Sequence, residues 1–480
     1  MTFSPDANSI YYGSGHTLYQ LPVLGGTPKR VLEHFGGQNN AATFSPDGKQ
    51  FAFVRFSEGN ESSYIIVANA DGTDERILAS SQRPAIFRSP AAWSPDGKVI
   101  ACPALTAAGP QAVVTVQLAD GAVSSIPSPR WDSIKQVAWR PDGGSLFVIA
   151  AETERDFFAQ IWQLSYPSGA ARNITNDSNN YESISLTADG SRLVAVRLEQ
   201  VAHVWVMPGE QTEQAKQLTS GFEKYDGTHA LEWLINDKIV YGTAPSGKGE
   251  VWTIDADGRN SKQVAIEAMS VAVSLNGNYF VFQSHDADGV GLFRLNVVNG
   301  EKKRLTRGTD IWATLTPDEK WIVFTRWGDQ VGLWKAPLEG GEAAKLTNIP
   351  GYLLAPAVSP NGKLIAFFWG KTGRNFPKIG VVPFEGGKII RTFDDPAQYF
   401  PGYSKATVQW TADGRAINYI ALRDGVSNIW RQAMNGSPPV KVTDFKTGFI
   451  FNFSYSRDGK RLALSRGTFE RDVILLRDME

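Results

Sequence analysis

Phe44-Ser45-Pro46-Asp47-Gly48-Lys49 returns as Trp93-Ser94-Pro95-Asp96-Gly97-Lys98, and close copies stand at Trp139-Arg140-Pro141-Asp142-Gly143 and Val358-Ser359-Pro360-Asn361-Gly362-Lys363. Weaker copies begin at Phe3, Leu186, Trp233, Val273, Leu315, Trp410 and Tyr455, so eleven anchors follow one another about every 45 residues. Each anchor reads as a tight hairpin. Proline presets φ at the second turn position, aspartate accepts from nearby backbone donors, and glycine takes positive φ.

Strands are expected on both sides of the turn. Short apolar runs such as Ala42-Thr43-Phe44 precede it, and Phe51-Ala52-Phe53-Val54, Trp321-Ile322-Val323-Phe324 and Leu364-Ile365-Ala366-Phe367-Phe368 follow it. These runs lack clean apolar/polar alternation, which implies burial on both faces. We call them strands A and B. A third strand, C, carries Ile161-Trp162, Val204-Trp205, Val251-Trp252, Leu333-Trp334 or Ile429-Trp430. It ends in a glycine turn such as Asp255-Ala256-Asp257-Gly258, after which a polar strand D closes on Lys216 to Thr219 or Lys303 to Thr306. Four short strands per repeat make a propeller blade, and no segment holds a period near 3.6, so the expected fold is all-β.

Eleven blades exceed the usual four to eight of one ring, so tandem β-propellers are expected. The last anchor is followed by Arg461 to Ser465 as strand B and Asp472 to Arg477 as strand C, and then no strand D remains. If Lys216 to Thr219 supplies it, a six-bladed C-terminal propeller spans 215–480, with the crossover at Gly221 to Leu231. The N-terminal propeller then spans 1–214 with five blades. Its first strand A is reduced to about four residues, an expectation that the chain begins inside a longer protein.

Composition narrows the function classes. Lys plus Arg is 48 against 49 Asp plus Glu in 480 residues, a net charge of −1. No basic excess exists to neutralise phosphates, so nucleic acid is not an expected partner. With 42% hydrophobic residues the chain can bury a sizeable core. The sole cysteine, Cys102, excludes an internal disulfide framework and a cysteine-rich zinc site. No run approaches about 18 apolar residues, so no membrane segment is expected within the sequence.

The anchor, the Ile-Trp third strand, the Ala-Asp-Gly turn and the Leu-Thr ending resemble TolB-type WD-like (PD40) propeller repeats over the full length. Leu18 to Gly26, Ile161 to Pro167 and Leu462 to Thr468 are, more narrowly, similar to the C-terminal propeller region of bacterial eukaryote-like serine/threonine kinases of acidobacterial type. That resemblance implies an upstream cytoplasmic kinase domain and membrane helix, with the propellers on the extracytoplasmic, periplasmic side. It carries no kinase activity onto this chain, which has no glycine-rich loop followed by a strand lysine, no His-Arg-Asp and no Asp-Phe-Gly. The implied role is a non-enzymatic sensor or protein-interaction region that binds a protein or small ligand. The alternatives are a free-standing TolB-like periplasmic interaction protein and the propeller part of a prolyl oligopeptidase-type peptidase.

Several motifs suggest chemistry that their context does not support. Gly242 to Gly249 nearly matches a phosphate-binding loop, but Gly249 replaces the hydroxyl residue and a strand, not a helix, follows. The Asp-x-Asp-Gly segments at 255–258 and 286–289 lack the full ligand set of a calcium loop. His16, His34, His203, His229 and His285 show no metal-ligand spacing, and Gly402 to Ala406 ends in alanine where a nucleophile elbow needs glycine. Cys102 reads as a buried apolar residue. No catalytic residue, cofactor or metal is therefore expected.

Strand order puts the D–A and B–C connections on one face of each ring. They are long and carry aromatics in many blades, including Phe87, Trp131, Tyr181, Phe222, Tyr225, Tyr352, Tyr399, Phe400 and Tyr403. Loops rich in Tyr and Trp on a rigid scaffold form recognition surfaces, so Trp131, Phe222, Tyr225, Tyr352, Tyr399 and Tyr403 are the candidate ligand or partner surface. A second reading stays open, in which these aromatics plug the grooves between blades. The opposite face, with its short turns, is expected to hold no concave site.

Overall fold

A computed structural model of the chain describes all residues except 36–40, 58–60, 108, 153–157, 178, 188, 222–224, 235, 245–248, 267, 287–288, 328–329, 371–377, 395–406 and 478–480. The described residues form antiparallel strands and turns, with one 3-10 turn at Thr212–Gln214. The fold is built from β-propeller blades, one at each anchor.

The anchor turn is fixed by its own polar groups. Ser45 Oγ donates to Asp47 Oδ1 (2.7 Å), which also accepts from the Lys49 backbone N–H (3.1 Å). The Gln50 N–H donates back to Ser45 Oγ (3.0 Å), and Gly48 sits at φ +70°. Ser94 and Asp96, Thr316 and Asp318, Ser359 and Asn361, Thr411 and Asp413, and Ser456 and Asp458 repeat the same bond. The turn is therefore a local structure, complete before any blade meets its neighbour.

Strand B shows why the apolar runs do not alternate. Phe51, Ala52, Phe53 and Val54 are all fully buried. Phe51 and Phe53 point into the cluster shared with Leu18 and Phe35 of the preceding sheet, and Ala52 and Val54 into the cluster shared with Ile100 and Cys102 of the following one. Successive side chains face opposite sides of a strand, so a sheet stacked on both faces needs an apolar residue at every position. Each such large side chain contributes about 1.5–3 kcal/mol on burial.

The chain divides into two compact units, Met1–Glu199 with Arg471–Glu480, and Gln200–Glu470. The first unit holds five sheets. Four apolar clusters join them in succession, and among the described residues none joins the first sheet to the fifth. The second unit holds six sheets and six clusters, the sixth joining Val204 and Ala463 of its last sheet to Leu231, Ile239 and Tyr241 of its first. Across the same junction Trp233 Nε1 donates to the Ser454 carbonyl (2.9 Å) and Asn452 Nδ2 to the Gly227 carbonyl (3.0 Å), so this ring is closed.

The expected seam needs correction. Two 17-residue strands, Arg192–Pro208 and Arg461–Arg477, each serve both units. In the second unit residues 200–208 are strand C of the last blade and Lys216–Gln217 its strand D, beside Phe449–Tyr455 and the start of Arg461–Arg477. Residues 471–477 do not close that blade. They lie in the first unit beside Arg192–Glu199, where Asp472 accepts from Arg197 (2.7 Å) and Arg471 reaches Glu182 (2.9 Å). The units thus divide after Glu199 and Glu470, not at residue 214. Arg461–Arg477 is mostly polar from Ser465 to Asp472 yet runs on as one strand, and Arg192–Pro208 offers apolar residues along its whole length, so its pattern does not mark where one sheet ends and the next begins.

Candidate functional site

The first strands of three successive blades in the second unit, Met269–Val273, Asp310–Leu315 and Tyr352–Val358, each carry a bulge: between Met269 and Ala272, Ile311 and Thr314, and Leu354 and Ala357. A bulge inserts one unpaired residue and re-aims its neighbours. Here the inserted geometry is shared: Ser270, Trp312 and Ala355 all stand at φ +52°. Left-handed backbone is uncommon for any non-glycine residue and costs about 1–3 kcal/mol, and such strain gathers at ligand sites. All three lie in the early part of strand A, on the D–A and B–C side of the ring.

Trp312 is half-buried. It packs against the cluster containing Leu354 and Ala355 of the next blade and meets Trp327 edge to face at 6.3 Å. Asp310, two residues before it, is fully buried and takes a bidentate pair from Arg326, Nε to Oδ1 at 2.7 Å and Nη2 to Oδ2 at 2.8 Å. The Arg326 guanidinium lies 4.2 Å over the Trp334 ring and also donates to the Arg307 carbonyl (3.3 Å). The pair is held from three sides, which fixes the strand end beneath Trp312. The third-strand aromatic has the same use in other blades: Arg423 lies 3.6 Å over Trp430, and Arg466 lies 5.6 Å over Trp205.

This arrangement sets two aromatic side chains beside a buried ion pair. Among the described residues no three His, Cys, Asp or Glu side chains are grouped to hold a metal ion. Cys102 is fully buried, and burial pushes its thiol far above the ordinary range, away from the reactive thiolate. The anchor aspartates are held below the usual carboxylate range, chiefly by the hydroxyl two residues earlier; Asp189, beside Thr187, reaches about 2. Asp255 pairs with Lys238 and Asp257 with Arg259, so the 255–258 segment is a hairpin turn. In the 242–249 loop Gly242 and Thr243 end one strand and Glu250 opens the next; residues 245–248 lie outside the described residues.

Two of the expected surface residues are interior. Trp131 is fully buried between the third and fourth sheets of the first unit, 5.7 Å edge to face with Trp162. Its backbone accepts from the Gln111 N–H (2.7 Å), which turns the ring inward. Tyr225 is 1% exposed at φ +74°. It opens a turn wedged into the closure of the second ring, where Thr243 Oγ1 donates to Asp226 Oδ1 and Ser465 Oγ to the Asp226 carbonyl, both at 2.6 Å. Phe87 and Tyr181 are buried as well. These four aromatics plug the grooves between blades, because a gap between twisted sheets is the nearest apolar volume to a loop at its mouth. Tyr352 opens its strand, and Phe222, Tyr399 and Tyr403 lie outside the described residues. The sequence reading missed Trp312 and Trp327, since a bulge inside a strand leaves no mark in composition or spacing.

Comparison with known proteins places the repeat. A stretch of 106 residues is 33% identical to the tricorn protease homolog 1 of Streptomyces coelicolor, covering 21% of this chain and 8% of that protein. Among solved structures, TolB from Acinetobacter baumannii is similar over 80% of this chain and 81% of its own, with a TM-score of 0.39 and 10% identity. The tricorn protease is similar over 97% of this chain and 60% of its own, with a TM-score of 0.34 and 11% identity. Over residues 82–273 the chain matches the family described as PD40, the TolB beta propeller domain.

Proposed function

We propose that the chain is a non-enzymatic, TolB-like protein-interaction β-propeller region that recognises its partner at the D–A and B–C face of the second unit, around Trp312 and Trp327. The observation that carries this reading is the repeated left-handed residue at Ser270, Trp312 and Ala355. Such strain gathers at ligand sites, and in one of the three blades it holds the half-buried Trp312 ring against Trp327, while Ser270 and Ala355 are buried in their own strands. The match of residues 82–273 to TolB propellers supports the same class. In its finer form the proposal makes this the extracytoplasmic sensor region of a bacterial signalling serine/threonine kinase, supported by the segments at 18–26, 161–167 and 462–468.

The experiment immobilises the chain and measures capture from an envelope extract of the producing cell, beside assays for ATP and peptide hydrolysis. Capture that is saturable, lost in Trp312→Ala and unaccompanied by turnover is the expected result. Equal capture by wild type and Trp312→Ala places recognition elsewhere, and turnover above background defeats the non-enzymatic reading.

A further inference from the structure

On the opposite face of the second unit the blades do not pack uniformly. At Gly386, in a C–D turn of the second unit, an added Cβ would stand only 2.4 Å from the Leu346 carbonyl oxygen beside strand D of the preceding blade, whereas at Gly300 and Gly436, in C–D turns of two other blades of that unit, it would meet nothing within 4 Å. The Gly386 turn butts directly against its neighbour. Gly258, in the first blade of the second unit, occupies the same position beside the closing blade, yet its nearest neighbour, the Leu218 carbonyl oxygen, would be 3.6 Å away. A cleft of about 630 Å³ opens there. The expectation that this face holds no concave site is therefore incorrect. Turn length alone does not decide concavity, because a stand-off between two blades opens space that neither turn encloses.

The cleft is lined by the apolar Val206, Leu218 and Ala256 and by the charged Glu213, Lys216, Asp257 and Arg461. Two of the surrounding charges are already committed. Arg461 pairs with Asp237 and lies 4.6 Å over the Trp233 ring, and Asp257 accepts from Arg259 Nε (2.8 Å). Glu213, on the 3-10 turn, and Lys216, opening strand D, make no ion pair or side-chain hydrogen bond among the described residues. Among the described residues one anion and one cation thus stand uncommitted in the same cleft as these apolar side chains, in a volume within the range of about 300–1,000 Å³ typical of ligand pockets.

We propose that this cleft binds a short aliphatic peptide with both termini free, its ammonium group at Glu213, its carboxylate at Lys216 and its side chains on Val206, Leu218 and Ala256. A purely apolar ligand leaves both charges unused, and a singly charged one meets repulsion from the other. The dipolar ligand alone satisfies the pair.

Isothermal titration of the full chain with the dipeptide Leu-Leu tests the assignment, with N-acetyl-Leu-Leu-amide as the uncharged comparison. Saturable binding of one Leu-Leu per chain is expected below about 10 mM, and weaker binding of the capped form. Glu213→Gln and Lys216→Ala, both exposed and remote from the core, are each expected to weaken Leu-Leu about two- to fivefold. Ala256→Trp is expected to fill the cleft and abolish binding while the circular dichroism spectrum is kept. No saturable binding of Leu-Leu, equal affinity for the capped peptide, or affinity unchanged in both charge variants would each overturn the proposal.

Discussion

Replacing Trp131 separates a groove plug from a recognition residue. The indole is fully buried in a cluster with Val113, Ile134, Val148 and Trp162, so Trp131→Ala leaves a large cavity at an interface between two sheets. Removing a buried tryptophan costs about 3–5 kcal/mol, and the lost edge-to-face contact with Trp162 falls within that sum. For a unit of about 200 residues each kcal/mol lowers the melting temperature by about 2–4 °C, so a fall of about 6–20 °C is expected. Trp131→Phe behaves differently. Among the described residues the buried Trp131 indole N–H has no hydrogen-bond partner, and phenylalanine removes that donor while keeping most of the ring volume. An unpaired buried donor costs about 1–3 kcal/mol, which offsets much of the lost packing, and the net change is expected to stay within about 2 kcal/mol. Differential scanning calorimetry of wild type and both variants reads the two numbers. The reasoning fails if Trp131→Ala melts within a degree or two of wild type, or if Trp131→Phe is as damaging as Trp131→Ala.

Truncation after Glu470 removes the strand that brings Ile474 and Leu476 to the last sheet of the first unit; limited proteolysis is expected to cut residues 1–199 faster while fragments from 200–470 persist, and the opposite pattern would refute the strand assignment. Asp310→Asn strips the buried partner from Arg326 and is expected to destabilise by about 3–5 kcal/mol in urea titration, with Asp310→Leu/Arg326→Met losing less, since removing both charges leaves neither unpaired. The anchor aspartates Asp6, Asp47, Asp96, Asp189, Asp318, Asp413 and Asp458 are all held below the usual carboxylate range, chiefly by a Ser or Thr hydroxyl. Their folded pKa values lie below the unfolded value of about 3.9, so their stabilisation is complete above that pH and is lost as pH falls towards about 2. The melting temperature is expected to drop across that window, and Asp47→Asn with Asp96→Asn to flatten the drop; an unchanged slope would show that the turns contribute little to acid sensitivity.

The blade was legible because its determinants are local. The Ser-Pro-Asp-Gly turn closes on its own hydroxyl, carboxylate and glycine, so the strand after it could be placed at Phe51 to Val54, inside the observed Gln50–Phe56. The unbroken apolar run of Phe51 to Val54 reported two-sided burial for the same reason, since the two faces of one strand are read directly from successive residues. The count of eleven blades, and the donation of Lys216–Gln217 to a blade begun more than two hundred residues later, followed from matching strands to anchors.

What failed were the readings that depend on which surfaces meet. Trp131 and Tyr225 belong to loops by sequence, and only the packing of neighbouring sheets shows that their rings point inward. Trp312 sits in a strand by sequence, and only the bulge, set by how its blade pairs, turns the backbone left-handed there. The division of Arg192–Pro208 and Arg461–Arg477 between two units was likewise not legible, for a β-strand satisfies its backbone with any partner of matching register. Sequence by itself determined the repeat, the turn chemistry and the all-β class, because these rest on contacts within about fifty residues. The tertiary structure alone decided how Arg192–Pro208 and Arg461–Arg477 divide between the two units, which aromatics are buried and where one blade stands off from the next, because these depend on surfaces that meet only after the blades have formed.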